Sequence, residues 1–335
     1  MYITTDNKLC YNKTEKSKNM NKINKFRMRK KAMRFKYLFL AMSFFIVSGC
    51  STDENQTVAK FTELVWADEF DVDGAPDLDF WSYDIGTGIN GWGNNELQSY
   101  TDRPENVIVQ NGYLIITALE EEDSFYTSGR LKTKGKFDQK YGRFEARIRL
   151  PNGKGLWPAF WMLGSNIEEE RDDDLNTFQW PFCGEIDIME NAGSKPTIVS
   201  GAVHGPGYFG GSPILKKYDL ENDRVDTGFH IYGVEWGPDY INFYVDDVLY
   251  NQITPNDLPD DPFPEDFYST IFTDPEELEL YREKWNTWVY DQPFYLLLNI
   301  AIGGLFDGPP NEETVFPQTM LVDYVRVYKD KFDNN

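Results

Sequence analysis

From residue 61 onward the chain is written in short runs with a period of two. Residues 106–118 (NVIVQNGYLIITA), 143–150 (RFEARIRL), 231–236, 241–245 and 320–328 (MLVDYVRVY) alternate apolar and polar positions. Successive side chains on a strand point to opposite faces, so each run predicts an antiparallel strand with one wet face. Gly, Pro, Asn and Asp punctuate the runs as turn formers. Helical spacing is weak. The one helix predicted covers residues 275–284 (PEELELYREK), acidic in its first turn and basic in its last, as the helix dipole favours. Many short strands without interleaved helices predict an all-β fold, a sandwich of the jelly-roll type.

Two stretches break this pattern. Residues 167–179 (IEEERDDDLNTFQ) form an acidic insertion, and residues 255–286 form a longer, acidic, proline-rich one. Loops of this length inside a compact domain usually carry function.

The first sixty residues read differently again. Residues 28–36 are basic, residues 37–48 (YLFLAMSFFIVS) are mostly apolar, and Gly49-Cys50 follows. A charged segment, a short apolar segment and a small-residue site make an export signal. The apolar run falls short of the roughly 20 residues a membrane span needs. Val47-Ser48-Gly49-Cys50 resembles a bacterial lipobox, which implies cleavage before Cys50 and a lipid on its sulfur. Met28 or Met33 is a more natural start than Met1. The expected organisation is therefore 1–49 signal and over-long start, 50–60 lipidated tether, and 61–330 a single folded domain. The protein is expected to be exported and held on a membrane, facing the periplasm or the cell surface.

Composition sharpens the picture in two ways. Residues 1–49 carry 12 Lys/Arg against 2 Asp/Glu, so in a chain of net charge −22 the remainder holds −32. Such an acidic surface keeps the protein soluble and argues against nucleic acid. Aromatics make up 16% of the 335 residues, with nine Trp and twenty Tyr. That suits a β-rich core, and equally a cleft whose flat rings stack on sugars. The cysteines, Cys10, Cys50 and Cys183, have neither zinc spacing nor the pattern of a disulfide framework; Cys183 reads as a core thiol.

The most informative stretch is residues 184–191 (GEIDIMEN). On a regular strand Glu185 and Asp187 share one face, with Ile186 and Ile188 in the core behind. Glu190 would then point into the core, where an unpaired carboxylate costs several kcal/mol. One extra residue near Met189, a β-bulge, returns Glu190 to the face of the other two. Three carboxylates on one face suit glycosidic cleavage. There one carboxyl group protonates the leaving oxygen, and a second, about 5–5.5 Å away, attacks the sugar. Crowding would keep a proton on one of them. A solvated acidic strand and a divalent-cation site with hard oxygen ligands are the alternatives at this point.

The stretch resembles the catalytic signature of glycoside hydrolase family 16 in its laminarinase-like, bulged form, E-x-D-x-x-E. Segments 66–70 (WADEF), 92–100 (WGNNELQSY), 126–130 (YTSGR), 153–163 (GKGLWPAFWML), 229–236 (FHIYGVEW), 293–304 (PFYLLLNIAIGG) and 316–328 (FPQTMLVDYVRVY) resemble the family in family order, over roughly residues 62–329. The resemblance implies a jelly roll of two curved antiparallel sheets with a substrate cleft on the concave face. It implies retaining endo-hydrolysis of β-1,3-glucan without a catalytic cofactor. Glu185 would be the nucleophile, Glu190 the acid/base, and Asp187 their assistant. Trp157 and Trp161 would flank the cut site, with His204 near the reaction centre and His230 structural. Asn94, Glu96 and Arg130 would contact sugar hydroxyls; for Arg130 an ion pair with a cleft acid is the alternative. A structural Ca²⁺ away from catalysis would take the backbone carbonyls of Glu69 and Gly112 and the side chain of Asp323. The expected partners are a β-glucan and, through Cys50, a membrane; the chain is expected to be a monomer. Mixed-linkage β-1,3-1,4-glucan or a galactan as substrate, transglycosylation, and a non-catalytic carbohydrate-binding module remain alternatives. The two long insertions are departures from the family pattern.

Overall fold

The computed structural model describes residues 61–122, 125–167, 180–259 and 287–330. The proposed signal, Cys50, the tether, most of both insertions and the helix predicted at 275–284 lie outside the described residues. The described fold belongs to the compact unit Val58–Asn335.

Seventeen strands are formed among the described residues. They are β1 (Phe61–Asp68), β2 (Ser82–Tyr83), β3 (Gln98–Tyr100), β4 (Val107–Gln110), β5 (Tyr113–Glu120), β6 (Tyr126–Ser128), β7 (Arg130–Lys132), β8 (Gly142–Arg149) and β9 (Leu156–Gly164). They continue with β10 (Glu185–Glu190), β11 (Ile198–His204), β12 (Ile214–Asp219), β13 (His230–Gly237), β14 (Tyr240–Val245), β15 (Val248–Ile253), β16 (Phe294–Ile302) and β17 (Gln318–Asp330). One sheet runs β15-β14-β13-β8-β17-β5-β6-β3, with β1 added beside β17 and β4 beside β5; the other runs β12-β11-β10-β9-β16-β7-β2. Pairing is antiparallel except between β3 and β6. This is the two-sheet, jelly-roll architecture that the alternation predicts.

The predicted runs at 143–150, 231–236, 241–245 and 320–328 fall on β8, β13, β14 and β17. The run at 106–118 divides into two antiparallel strands, the hairpin of β4 and β5. Asn111 and Gly112, with φ of 55° and 78°, form its two-residue turn. Asn-Gly is the pair that tolerates left-handed backbone at both central positions, and its twist matches that of the flanking strands.

The larger apolar core of the described residues lies between the sheets. Trp236, Phe144, Phe243, Val234 and Val325 from one sheet meet Phe160, Met162, Ile186, Val203 and Leu298 from the other. At the centre of the second sheet β10 departs from regular pairing. Ile186 to Met189 on β10 spans Met162 to Phe160 on β9, and Asp187 to Glu190 spans Ala202 to Ser200 on β11. Three steps on β10 therefore face two on each neighbour. The extra residue leaves Ile188 and Met189, successive in sequence, both buried in the core. Glu190 is thereby carried back to the face of Glu185.

Deleting Met189 is expected to restore the regular register and turn Glu190 inward. An unpaired buried carboxylate should lower unfolding stability by about 3–5 kcal/mol, read by urea titration. Full stability in the deletion protein would contradict the bulge.

Candidate active site

The outer face of the second sheet is assembled by register. Glu185 lies opposite His204 on β11, and Glu190 lies opposite Ala159 on β9, between Trp157 and Trp161. Asn299 of β16 pairs with both Ala159 and Arg130 of β7. Period-two alternation then turns Trp157, Trp161, Asn299 and Arg130 to the same side as the carboxylates, with Phe160 and Met162 buried beneath.

Each carboxylate meets a different environment. Trp157 donates its indole N–H to Glu190 Oε1 at 2.8 Å, and Trp180 donates to Glu185 Oε2 at 2.7 Å. His204 Nε2 lies 3.2 Å from Asp187 Oδ2 and 3.7 Å from Glu185 Oε1. Asp187 is 4% exposed, which excludes a solvated acidic face. Burial, then the charges of Glu185 and Glu190, push the Asp187 carboxyl well above the usual carboxylate range. Burial also lifts Glu190, against the Trp157 hydrogen bond and the His204 charge, to about 7. For His204 burial pulls downward, but the Asp187 carboxylate against Nε2 and the negative charge around it raise the imidazole to about 9. At neutral pH the cluster thus holds an imidazolium at His204 and an evenly balanced Glu190, beside an Asp187 carboxyl raised above its ordinary range.

Donor atoms of Glu185, Asp187 and His204 all lie within 4.8 Å of one another, a composition that could hold a metal ion. Here the imidazole is engaged by Asp187 and Glu185 accepts from an indole.

One flank of the site is a polar network. Arg130 Nε lies 2.8 Å from Asp84 Oδ2, and its guanidinium is sandwiched between the rings of Trp92 and Trp161, at 4.5 and 4.8 Å. The guanidinium is therefore paired within the protein, as the ion-pair alternative has it, and its planar faces are covered by indoles. Trp161 donates to Asn299 Oδ1 at 2.7 Å, and Asn299 donates to the Tyr100 hydroxyl at 3.2 Å. Glu96 accepts from Asn94 at 3.2 Å, Gln98 at 2.6 Å and Tyr100 at 3.3 Å. Asn94 and Glu96 are thus held to each other beside the cleft.

Trp180, Asp84, Trp92 and Asn299 escaped the sequence reading. Trp92 and Asn299 stand inside quoted segments (WGNNELQSY and PFYLLLNIAIGG) but lack the charge that drew attention to their neighbours. Trp180 closes the acidic insertion just ahead of β10, and Asp84 is 46 positions from Arg130 in the chain. His230 is structural as expected, its Nδ1 at 2.6 Å from Asp246 Oδ2. Cys183 is a buried thiol that burial pushes up to about 12. The remaining expected residues lie on the other sheet. There Asp323 pairs with Arg147 at 2.7 Å, and the Glu69 side chain pairs with Arg326.

A family model described as Glycosyl hydrolases family 16 matches residues 94–273. A β-glucanase of Rhodothermus marinus is 42% identical over 290 residues, spanning 85% of this chain and 92% of that protein. Glucan endo-1,3-beta-glucosidase A1 of Niallia circulans is 37% identical over 291 residues, or 80% of this chain and 38% of that longer protein. Among solved structures, the laminarinase catalytic domain from Thermotoga maritima MSB8 is similar with a TM-score of 0.66 at 44% identity. That likeness covers 80% of this chain and 98% of the domain.

The Trp157 hydrogen bond favours the ionised form of Glu190. Trp157→Phe is therefore expected to raise the Glu190 carboxyl above 7 by about one unit, the scale of a hydrogen bond to a charged group. Carbon-13 NMR titration of labelled glutamate reads the shift, and a Glu190 midpoint that stays in place would contradict the assignment.

Proposed function

The chain belongs to glycosyl hydrolases family 16, and from that membership we propose that it is a retaining endo-β-1,3-glucanase of the laminarinase type, with Glu185 as nucleophile and Glu190 as acid/base. One observation carries the assignment of roles: the bulged β10 turns Glu185, Asp187 and Glu190 to one face, where burial lifts Glu190 to about 7.

Glu185 attacks the anomeric carbon while the Glu190 proton passes to the departing glycosidic oxygen. The C–O bond to the leaving sugar breaks, and an ester between Glu185 and the glycosyl unit remains. Glu190, now a carboxylate, takes a proton from water as that water attacks the same carbon. The ester opens, Glu185 is regenerated, and two inversions leave the configuration retained. The Trp180 N–H and the His204 imidazolium face the oxygens of Glu185 and orient it for attack. Asp187, its carboxyl pushed up by burial, stands between the two working carboxylates with His204 Nε2 against it.

The likeness to the glucan endo-1,3-beta-glucosidase of Niallia circulans and to the Thermotoga maritima laminarinase supports β-1,3-glucan as substrate. A neutral polysaccharide also suits a chain this acidic.

Two further readings belong to the same proposal. The basic and apolar run ending at Cys50 supports export and a lipid anchor on that sulfur, with the enzyme held at the periplasmic or cell surface. Cys50→Ala should move the protein from the membrane to the soluble fraction; unchanged membrane association would refute the anchor. A structural Ca²⁺ is supported by register. Asp68 pairs with Val325 and Leu114 with Val322, which brings the Glu69 and Gly112 segments close to Asp323 in register, where β17 slips against β8. Oxygen donors of this kind fit a hard cation, although Arg147 already takes Asp323 Oδ2. Calcium at about 100 times its Kd should add about 2.7 kcal/mol of stability to the wild type and little to Asp323→Ala. Equal melting responses would refute the site.

Glu185→Ala should fold normally and lose hydrolysis of laminarin by on the order of 10⁴-fold or more. Azide should restore turnover and yield a glycosyl azide of inverted configuration. Normal turnover in the variant would remove Glu185 from the nucleophile role, and failure of the wild type on laminarin would remove the substrate assignment. Because Glu190 must be protonated first, kcat/KM should fall as pH rises through about 7.

A further inference from the structure

Trp157, the donor to Glu190, does not stand alone. Its indole is stacked on Phe306, with ring centres 4.7 Å apart and planes 17° apart. Phe306 belongs to a single helical turn, Gly304–Asp307, that follows β16. Leu305 and Phe306 in this turn are exposed at 74% and 38%, whereas Asp307 is 6% exposed. A turn of four residues has little stability of its own, so what fixes it must be side-chain contacts.

Asp307 supplies them. Its Oδ2 accepts from the backbone N–H of Gly155 at 2.8 Å and of Ser194 at 3.1 Å. Its Oδ1 accepts from the Ser194 hydroxyl at 2.5 Å and lies 3.3 Å from Lys154 Nζ. The Gly303 N–H returns the contact by donating to the Gly155 carbonyl at 2.7 Å. Gly155 is two residues before Trp157, and Ser194 is four residues after Glu190. One buried carboxylate therefore binds both chain segments that carry the indole–carboxylate pair, and it anchors the turn that covers the indole. Gly155 permits this closeness: with φ of 82°, a Cβ there would stand 2.3 Å from the nitrogen of Pro310. The buried Asp307 is fully engaged, with four donors on two oxygens, and the reaction itself has no use for it.

We propose that Asp307 and Phe306 are positioning residues for the acid/base: Asp307 locks the Gly304–Asp307 turn to the ends of β9 and β10, the turn holds Phe306 flat on Trp157, and Trp157 is thereby fixed with its N–H on Glu190. The inference rests on the reading of Glu190 as acid/base. Loss of the clamp lets the indole rotate, weakens the hydrogen bond that favours the Glu190 carboxylate, and keeps the proton on Glu190 to higher pH.

The test is the pH dependence of kcat/KM on laminarin for wild type, Phe306→Ala, Phe306→Tyr, Leu305→Ala and Asp307→Ala. Phe306→Ala should move the alkaline limb upward by about half a unit, part of the effect of losing the indole itself. Phe306→Tyr, which keeps a flat ring, should leave the limb in place, as should Leu305→Ala. Asp307→Ala should move it in the same direction as Phe306→Ala, with melting curves reporting whether that protein is folded. If it is not, the exposed Phe306 position decides alone. An alkaline limb unmoved in Phe306→Ala, or moved equally in Leu305→Ala, would overturn the inference. The underlying reading is tested separately by Glu190→Gln, which should abolish the limb and retain cleavage of a glucoside with an activated aryl leaving group. If Glu190→Gln keeps the wild-type limb, the acid/base assignment itself falls.

Discussion

Three carboxyl groups crowded on one desolvated sheet face are the constraint around which this protein is organised. Full ionisation of all three would be too costly in such a place. The protein removes the cost in three ways at once. Burial pushes the Asp187 carboxyl up, toward its neutral form. His204 adds a positive charge against Asp187 and Glu185. Two indole N–H groups, from Trp157 and Trp180, each meet one of the outer carboxylates. None of these would matter without the bulge, because a regular strand would leave Glu190 in the core and the other two outside.

The same arrangement divides the chemistry. Glu185 and Glu190 are the same residue type on the same strand, yet they are not equivalent. Burial lifts Glu190 to about 7, so the acid is held where proton release and recapture are both available near neutral pH. Glu185 instead faces the Trp180 indole N–H and His204 Nε2. Differences of environment, not of residue type, distinguish the two carboxyl groups. Trp157 has a restraining part in this: its hydrogen bond stops Glu190 from rising so far that it could not later act as base.

Much of this was legible in the sequence because the informative signals were local. Period-two alternation located β8, β13, β14 and β17. It also exposed the conflict at Glu190, since a charged residue at an inward position demands a register change. Trp157 and Trp161, four apart on a strand, had to share a face. What escaped depends on contacts between distant segments. The pairing of Arg130 with Asp84 joins β7 to the end of β2, and neither residue's neighbours announce the other. Trp180 reaches Glu185 only because the chain turns sharply between them. The hairpin at 106–118 is a different case. Its Asn-Gly turn is a local signal, hidden by apolar alternation that continues on both sides of it.

The net charge was the least informative property for the site, and the reason is physical. A charge of about −32 on residues 50–335 acts on a distant ligand through screened water, over roughly 8–10 Å. A sugar in the cleft meets the local set instead. There Arg130 and Lys132 are matched against Asp84, and His204 against Glu185 and Asp187. Arg130 is itself walled by Trp92 and Trp161, so it offers little free charge. The cleft floor is thus nearly compensated inside a strongly acidic protein. Compensation of this kind serves a neutral polymer, which gains nothing from a field and depends on stacking and hydroxyl contacts. It also leaves the one charge that must develop, on the sugar at the moment of cleavage, to be met by Glu185 without competition from other carboxylates.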